Sequence, residues 1–223
     1  MMSMKKSTVL LVEDHPIFSK GLALLIDAQP DFTVVGEARN GSEALAMLVE
    51  KKPDLAIVDL NLGDEHGLEI IHSMKMRVPG LAILVLSMYD ERYYAERALK
   101  AGAGGYVMKE EATNKVIDAI KTVISGKIWL SESEKEHLLN HNDGRINLTP
   151  NEDGNFKDLI NELSNRQLQV FSMIGKGYGT IEIASKLNLS TKTIDAHKEH
   201  IKQKLHCNSS QELRQLAIEW NTH

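Results

Sequence analysis

The sequence predicts an α/β part, a five-stranded doubly wound parallel sheet, followed by a small all-α part of four helices. Three observations predict this. Over residues 1–126, five short apolar runs alternate with amphipathic stretches of helical period, the pattern of a parallel sheet covered on both faces. Over residues 127–160 the composition turns acidic and loop-like. Over residues 161–223 helix caps recur with no strand-like run between them.

The elements follow in order. "TVLLVED" (8–14) is the first apolar run, and "HPIFSKGLALLIDAQ" (15–29) opens a helix with Pro16 near its start, where the missing N–H costs little. "FTVVGEA" (32–38) reads as the second strand. "GSEALAMLVEKK" (41–52) carries Ala44, Leu45, Leu48 and Val49 as one stripe, with Ser42 as the expected N-cap and Pro53 beyond its end. "LAIVDL" (55–60) is strand three and "GLEIIHSMKMR" (67–77) the next helix. "LAILVLSM" (81–88) is strand four, followed by "DERYYAERALKAG" (90–102), capped by Asp90 and stopped by Gly102. "GYVMK" (105–109) is strand five, and "TNKVIDAIKTVISG" (113–126) closes the unit with an apolar stripe through Val116, Ile117, Ile120, Val123 and Ile124.

A length of 223 residues suits two domains. Apolar content of 42% and charged content of 26% are ordinary for a soluble globular chain. Cys207 is the single cysteine, which excludes an internal disulfide and points to a reducing compartment. The apolar run Val9 to Val12 is far shorter than a secretory core or a membrane span, so a cytoplasmic protein is expected. Residues 1–130 hold 15 Lys+Arg against 18 Asp+Glu, and residues 131–160 hold 3 against 7. Residues 161–223 hold 8 against 6 and form the one positive segment, a mild pointer to a nucleic-acid contact there.

In doubly wound sheets, ligands sit at the carboxyl ends of the strands. Strand one ends in Glu13 and Asp14, strand three in Asp59, strand four in Ser87 and strand five in Lys109. Three converging carboxylates repel, and one takes up a proton unless a cation neutralises them. Mg²⁺ does so with carboxylates, carbonyls and waters. A lysine and a hydroxyl beside it suit phosphate oxygens. An aspartate is a competent nucleophile for phosphoryl transfer, forming an acyl phosphate. Asp64 and Glu65, by contrast, read as solvated loop residues.

The set "LLVEDH…DLNLGDEHG…LSM…GYVMK" resembles the flavodoxin-like receiver domain of two-component response regulators, over about residues 7–126. The resemblance implies that Asp59 is the phosphoacceptor. It implies a Mg²⁺ site of Glu13, Asp14, Asp59 and the Asn61 carbonyl. Ser87 and Lys109 would bind the phosphoryl group, and Tyr106 is the switch aromatic. Asn61 and Tyr89 stand where the family tunes acyl-phosphate hydrolysis. Two positions depart from the family pattern. Gly63 replaces a frequent proline and loosens its loop, and "KEE" replaces lysine followed by proline. A rival class is an aspartyl phosphatase. It needs a general acid two residues after the nucleophile, and Asn61 stands there, so no enzyme is expected.

Residues 127–160 read as a linker, with a short helix over 131–140 and a tether over 141–155. Its acidity either competes with DNA for the basic segment or simply keeps the tether soluble. In the last segment Ser164 and Gln167 form a capping box. Leu168, Phe171 and Ile174 face inward, and the helix ends near Gly175 or Gly177. Thr180 is the expected cap of the next helix, Ser190 of the third, and Ser209 or Ser210 of the fourth. Two short helices, a tight turn and a polar third helix make a helix-turn-helix. With "IASKLNLSTKTIDAH" and "IKQKL", residues 161–223 resemble the LuxR-type domain of the NarL/FixJ group.

The third helix would then enter the major groove of promoter DNA. Thr191, Lys192, Thr193, Lys198 and Lys202 suit phosphates. Asp195 and Glu199 either accept from cytosine N4 or pair with lysines one turn away. His197, His200 and His206 lack metal-site spacing. The resemblance also implies a partner histidine kinase as phosphodonor, a last helix that pairs two domains, and a homodimer as the active form. DNA binding independent of phosphorylation remains the alternative.

Overall fold

Five strands form one parallel sheet, and its three inner strands are too apolar to face water on either side. The computed structural model describes residues 6–62, 65–136, 159–160 and 162–222. The strands are β1 (Ser7–Val12), β2 (Phe32–Ala38), β3 (Leu55–Val58), β4 (Ala82–Ser87) and β5 (Gly105–Met108). The helices between and after them are α1 (Pro16–Asp27), α2 (Gly41–Lys51), α3 (Gly67–Arg77), α4 (Glu91–Ala101) and α5 (Ala112–Ile124). The strand order is β2-β1-β3-β4-β5 with every pair parallel. The chain reverses its direction of winding between β1 and β3, and a crevice opens at such a switch point. Both strands that border it end in acids.

Alternation along the strands fills both faces. Leu11, Ile57, Leu84 and Leu86 lie in one buried cluster with Ile26, Val116 and Ile120. Their neighbours Leu10, Ala56, Ile83 and Val85 are buried just as fully. Each large aliphatic side chain taken from water contributes roughly 1.5–3 kcal/mol, which holds the strand ends, and the acids they carry, in fixed register.

Two helix starts differ from the expected ones. The N-cap of α2 is Asn40, whose side chain accepts from the Glu43 N–H at 2.9 Å, while Glu43 accepts from the Arg39 N–H at 2.8 Å. Ser42 is already inside the helix, because the extended backbone at Asn40 starts the helix two residues earlier. Asp90 caps α4, and Gly102 ends it with φ +107°. The expected helix over 131–140 is seen over 132–136, and its remaining residues, with the tether 141–155, lie outside the described residues. Asp64 also lies outside them; the backbone of Glu65 pairs in a two-residue antiparallel ribbon, Asn61–Leu62 with Glu65–His66.

The chain divides into two compact units, Met1–Gly144 and Arg145–His223. The second holds α6 (Asn165–Gly175), α7 (Thr180–Lys186), α8 (Thr191–Lys204) and α9 (Ser210–Thr222). The capping box forms as the sequence predicts: Ser164 Oγ accepts from Gln167 N, and Gln167 Oε1 from Ser164 N. At α7 the cap position is Gly179, not Thr180, and Glu182 accepts the Gly179 N–H at 2.8 Å. Asn188 turns the chain with φ +52°, Ser190 caps α8, and Ser209 Oγ accepts from Glu212 N at the start of α9. Leu168, Phe171, Ile183, Ile194, Ile201, Leu213 and Ala217 form its core. Gly175 lets α6 and α9 approach, since a Cβ there would lie 2.1 Å from the Ala217 carbonyl oxygen. Among the described residues no helix is long and apolar enough to cross a membrane.

Candidate functional site

The carboxyl ends of β1 and β3 bring Glu13, Asp14 and Asp59 together. Glu13 and Asp59 are 5% and 3% exposed, so their charges need compensation inside the fold. Lys109, just past β5, supplies it. Its Nζ lies 2.6 Å from Glu13 Oε2 and 2.8 Å from Asp59 Oδ2, and 4.6 Å from the centre of the Phe18 ring. The Asn61 N–H donates to Asp59 Oδ1 at 3.1 Å. Burial nevertheless pushes Asp59 from 3.8 up to about 6, with Lys109 opposing and Glu13 adding to the rise. Burial alone would lower Lys109, but its contacts with Asp59 and Glu13 outweigh that and raise it, so it stays charged.

One participant escaped the sequence reading. His15 Nδ1 lies 3.0 Å from Glu13 Oε1 and 2.7 Å from Asp14 Oδ1. The signal was available in "EDHP", where the residue after two acids is also the N-cap of α1. Glu13, Asp14, His15 and Asp59 place one ligand atom each within 4.8 Å of one another, a group able to hold a metal ion. Asp14 Oδ1 is buried and, apart from its contact with the His15 ring, accepts no hydrogen bond of good geometry among the described residues, so a cation would satisfy it. An oxygen-rich set of this kind fits a hard cation such as Mg²⁺.

Ser87 ends β4, Tyr106 is the second residue of β5, and they are buried at 0% and 1% exposure. The Tyr106 hydroxyl donates to the Tyr89 carbonyl at 2.8 Å. Ser87 Oγ accepts from Tyr89 N at 3.2 Å. Burial, the first cause, lifts the Tyr106 phenol well above its usual value, so it remains a donor.

Gly67 sits behind the carboxylate. A Cβ there would lie 2.3 Å from the Asp59 carbonyl oxygen and 2.6 Å from Leu60 Cα. Gly67→Ala therefore has to move backbone, and it is expected to destabilise the first unit by about 1–3 kcal/mol. Urea denaturation checks this; an unchanged midpoint would show that the helix start yields freely.

In the second unit, Thr191, Lys192, Asp195 and Glu199 are exposed on α8, and Thr193 is half-buried beside Ser190. Lys202 pairs with Glu199 at 2.7 Å. Lys198 instead donates to Thr180 Oγ1 at the start of α7. Asp195 thus has no lysine partner among the described residues, so its two sequence-level readings separate from those of Glu199. Lys204, which the sequence reading passed over, donates to the Glu162 carbonyl and to Gln167 Oε1, tying the end of α8 to the capping box of α6.

Comparison with known proteins agrees with both units. Residues 9–121 match the response regulator receiver domain family, and residues 161–217 match the bacterial regulatory proteins of the luxR family. The oxygen regulatory protein NreC of Staphylococcus carnosus is 34% identical over 211 residues, covering 94% of this chain and 96% of that protein. A LuxR-family two-component response regulator from Aurantimonas is 29% identical with a TM-score of 0.57, covering 61% of this chain and 98% of that one. The response regulator RcsB, solved as a complex with DNA, is 25% identical with a TM-score of 0.56, covering 96% of this chain and 98% of that one. The chain therefore belongs to the two-component response regulators of the NarL/FixJ group, which join a receiver domain to a LuxR-type helix-turn-helix domain.

Proposed function

We propose that this protein is a cytoplasmic transcription regulator whose promoter binding is controlled by phosphorylation of Asp59. The observation that carries the proposal is one buried carboxylate at the sheet's switch point. It is flanked by two further acids and a lysine, in a chain whose second unit is LuxR-type. We assign residues 1–126 to the receiver, 127–160 to the linker and 161–223 to the DNA-binding domain.

In this reading a partner histidine kinase presents a phosphohistidine. An Asp59 oxygen forms a bond to phosphorus as the P–N bond breaks, and the electron pair leaves with the imidazole. Mg²⁺, when bound, neutralises charge on the carboxylates and the transferring group. Glu13, Asp14, Asp59 and the Asn61 carbonyl would hold it. Lys109 exchanges its hold on the Asp59 carboxylate for a phosphoryl oxygen, and Ser87 turns its hydroxyl to a second one. That turn releases the Tyr89 N–H that donates to Ser87 Oγ, next to the Tyr89 carbonyl held by the Tyr106 hydroxyl, and changes the face formed by α4, β5 and α5, which favours a homodimer. Asn61 lacks the acidic proton that a phosphatase of this type needs, which favours the regulator over the enzyme.

On α8, Thr191, Lys192, Thr193, Lys198 and Lys202 hold phosphates, while Asp195, exposed and without a lysine partner among the described residues, accepts from a cytosine amino group. Glu199 is engaged by Lys202 and serves to orient it. RcsB, whose structure in complex with DNA is known, supports the DNA-binding reading. Operator selection followed by gel shift tests it. Acetyl phosphate with Mg²⁺ is expected to tighten binding. Asp195→Ala is expected to erase one cytosine preference, with a discrimination of about 1–3 kcal/mol. Equal affinity before and after verified labelling of Asp59 would favour regulation independent of phosphorylation.

A further inference from the structure

A sheet edge exposes unpaired N–H and C=O groups that will accept another extended segment. Here β5 is such an edge, and residues past α5 occupy it. After the turn at Gly126, φ +81°, Trp129 pairs with Gly105 in parallel register. The Trp129 N–H donates to the Gly104 carbonyl at 3.0 Å, and the Tyr106 N–H donates to the Trp129 carbonyl at 2.9 Å. The approach depends on glycine: a Cβ on Gly105 would lie 2.9 Å from both Trp129 Cβ and its carbonyl oxygen. Leu130 is then buried, and Ser131 donates its N–H to Glu91 Oε1, the first residue of α4, at 2.9 Å. Ser131 Oγ accepts from Glu134 N and starts the short helix that follows. A cavity of about 220 Å³ separates this strap from Val107, Met108 and Lys115, so the strap touches the face at its margins and does not fill it.

The strap therefore bonds two elements at once. It bonds the backbone of Tyr106, whose hydroxyl is held by Tyr89, and it bonds α4 through Glu91. We propose that residues 128–131 are a cis-occupant of the β5 edge, latched by Glu91. In this arrangement the strap takes up relative displacement of α4 and β5 and passes it into the chain beyond residue 131. Glu91 is its positioning residue. The inference rests on the reading of Ser87 and Tyr106 as the phosphorylation switch. It adds that the output leaves by a backbone ladder at the sheet edge, and not only through side chains on the α4–β5–α5 face.

Hydrogen exchange with mass spectrometry on the full chain tests this. Without any phosphodonor, Glu91→Ala is expected to speed exchange about tenfold, the loss of one hydrogen bond, at Ser131 and also at the Trp129 and Tyr106 amides. Glu91→Gln keeps an acceptor oxygen and should restore protection. Loosening confined to Ser131 would overturn the latch, as would identical behaviour of the two variants. In the wild-type protein, acetyl phosphate with Mg²⁺ should speed exchange over 128–131, with labelling of Asp59 read in the same spectra. Labelling without a change in the strap would also overturn the proposal. Absence of labelling would count against the phosphoacceptor reading instead, leaving the donor-free arm to decide the latch.

Discussion

Asp59→Asn is expected to abolish labelling by acetyl phosphate, to less than about 1% of wild type, because the amide has no nucleophilic oxygen to form an acyl phosphate. The same substitution is expected to stabilise the protein in EDTA at pH 8. Folding raises Asp59 from 3.8 to about 6, so its protonated form is the one the fold prefers. That contribution is fully present below pH 4 and is lost as pH rises through about 6, which amounts to about 3 kcal/mol at most. The asparagine never ionises and does not lose it. The stability gap between variant and wild type should therefore open between pH 4 and pH 7 and close again when Mg²⁺ stabilises the wild-type carboxylates. Urea denaturation across pH, with and without Mg²⁺, checks the sign. Persistent labelling of the variant would remove Asp59 as acceptor, and a pH-independent gap would remove burial as the cause of its raised pKa.

Lys109→Ala is expected to be the most destabilising change at the site. Lys109 contacts two carboxylates that are 5% and 3% exposed, at 2.6 and 2.8 Å. Removing one partner of a buried ion pair costs about 3–5 kcal/mol, chiefly because the remaining charge stays buried. The loss should be smaller at pH 5 than at pH 8, since without Lys109 Asp59 rises further and is protonated at the lower pH. It should also shrink when Mg²⁺ is added, since a divalent cation replaces the missing charge. Equal denaturation midpoints for variant and wild type at pH 8 in EDTA would show that Lys109 does not hold the pair together.

Much of this site was legible in the chain. A run such as Leu55–Val58 is unsuited to water on either face, so its length and flanks locate a central strand, and Asp59 at its end marks a buried charge. The five residues Glu13, Asp14, Asp59, Ser87 and Lys109 share one strand-end position, which topology alone carries to one edge. Caps were less legible. Asn40 and Gly179 hold positions expected for Ser42 and Thr180, because a cap is chosen by local backbone geometry, and several polar residues near a helix start satisfy the same pattern.

The sequence by itself determined the strand and helix order, the acids that end strands one and three, Ser87 and Lys109 at the ends of strands four and five, and the helix-turn-helix, because all of these follow from periodicity and nearest-neighbour chemistry. Only the tertiary structure decided which charges meet. It gave Lys109 to Glu13 and Asp59 together, brought His15 into the acidic group, paired Glu199 with Lys202 and drew Lys198 to Thr180, leaving Asp195 without a lysine partner among the described residues. It also laid Trp129 along β5, a contact that depends on Gly105 and on the turn at Gly126, about 20 residues apart in the chain. Side chains with long flexible stems choose among several partners within reach, and that choice is settled by three-dimensional distance and burial, which spacing along the chain does not encode.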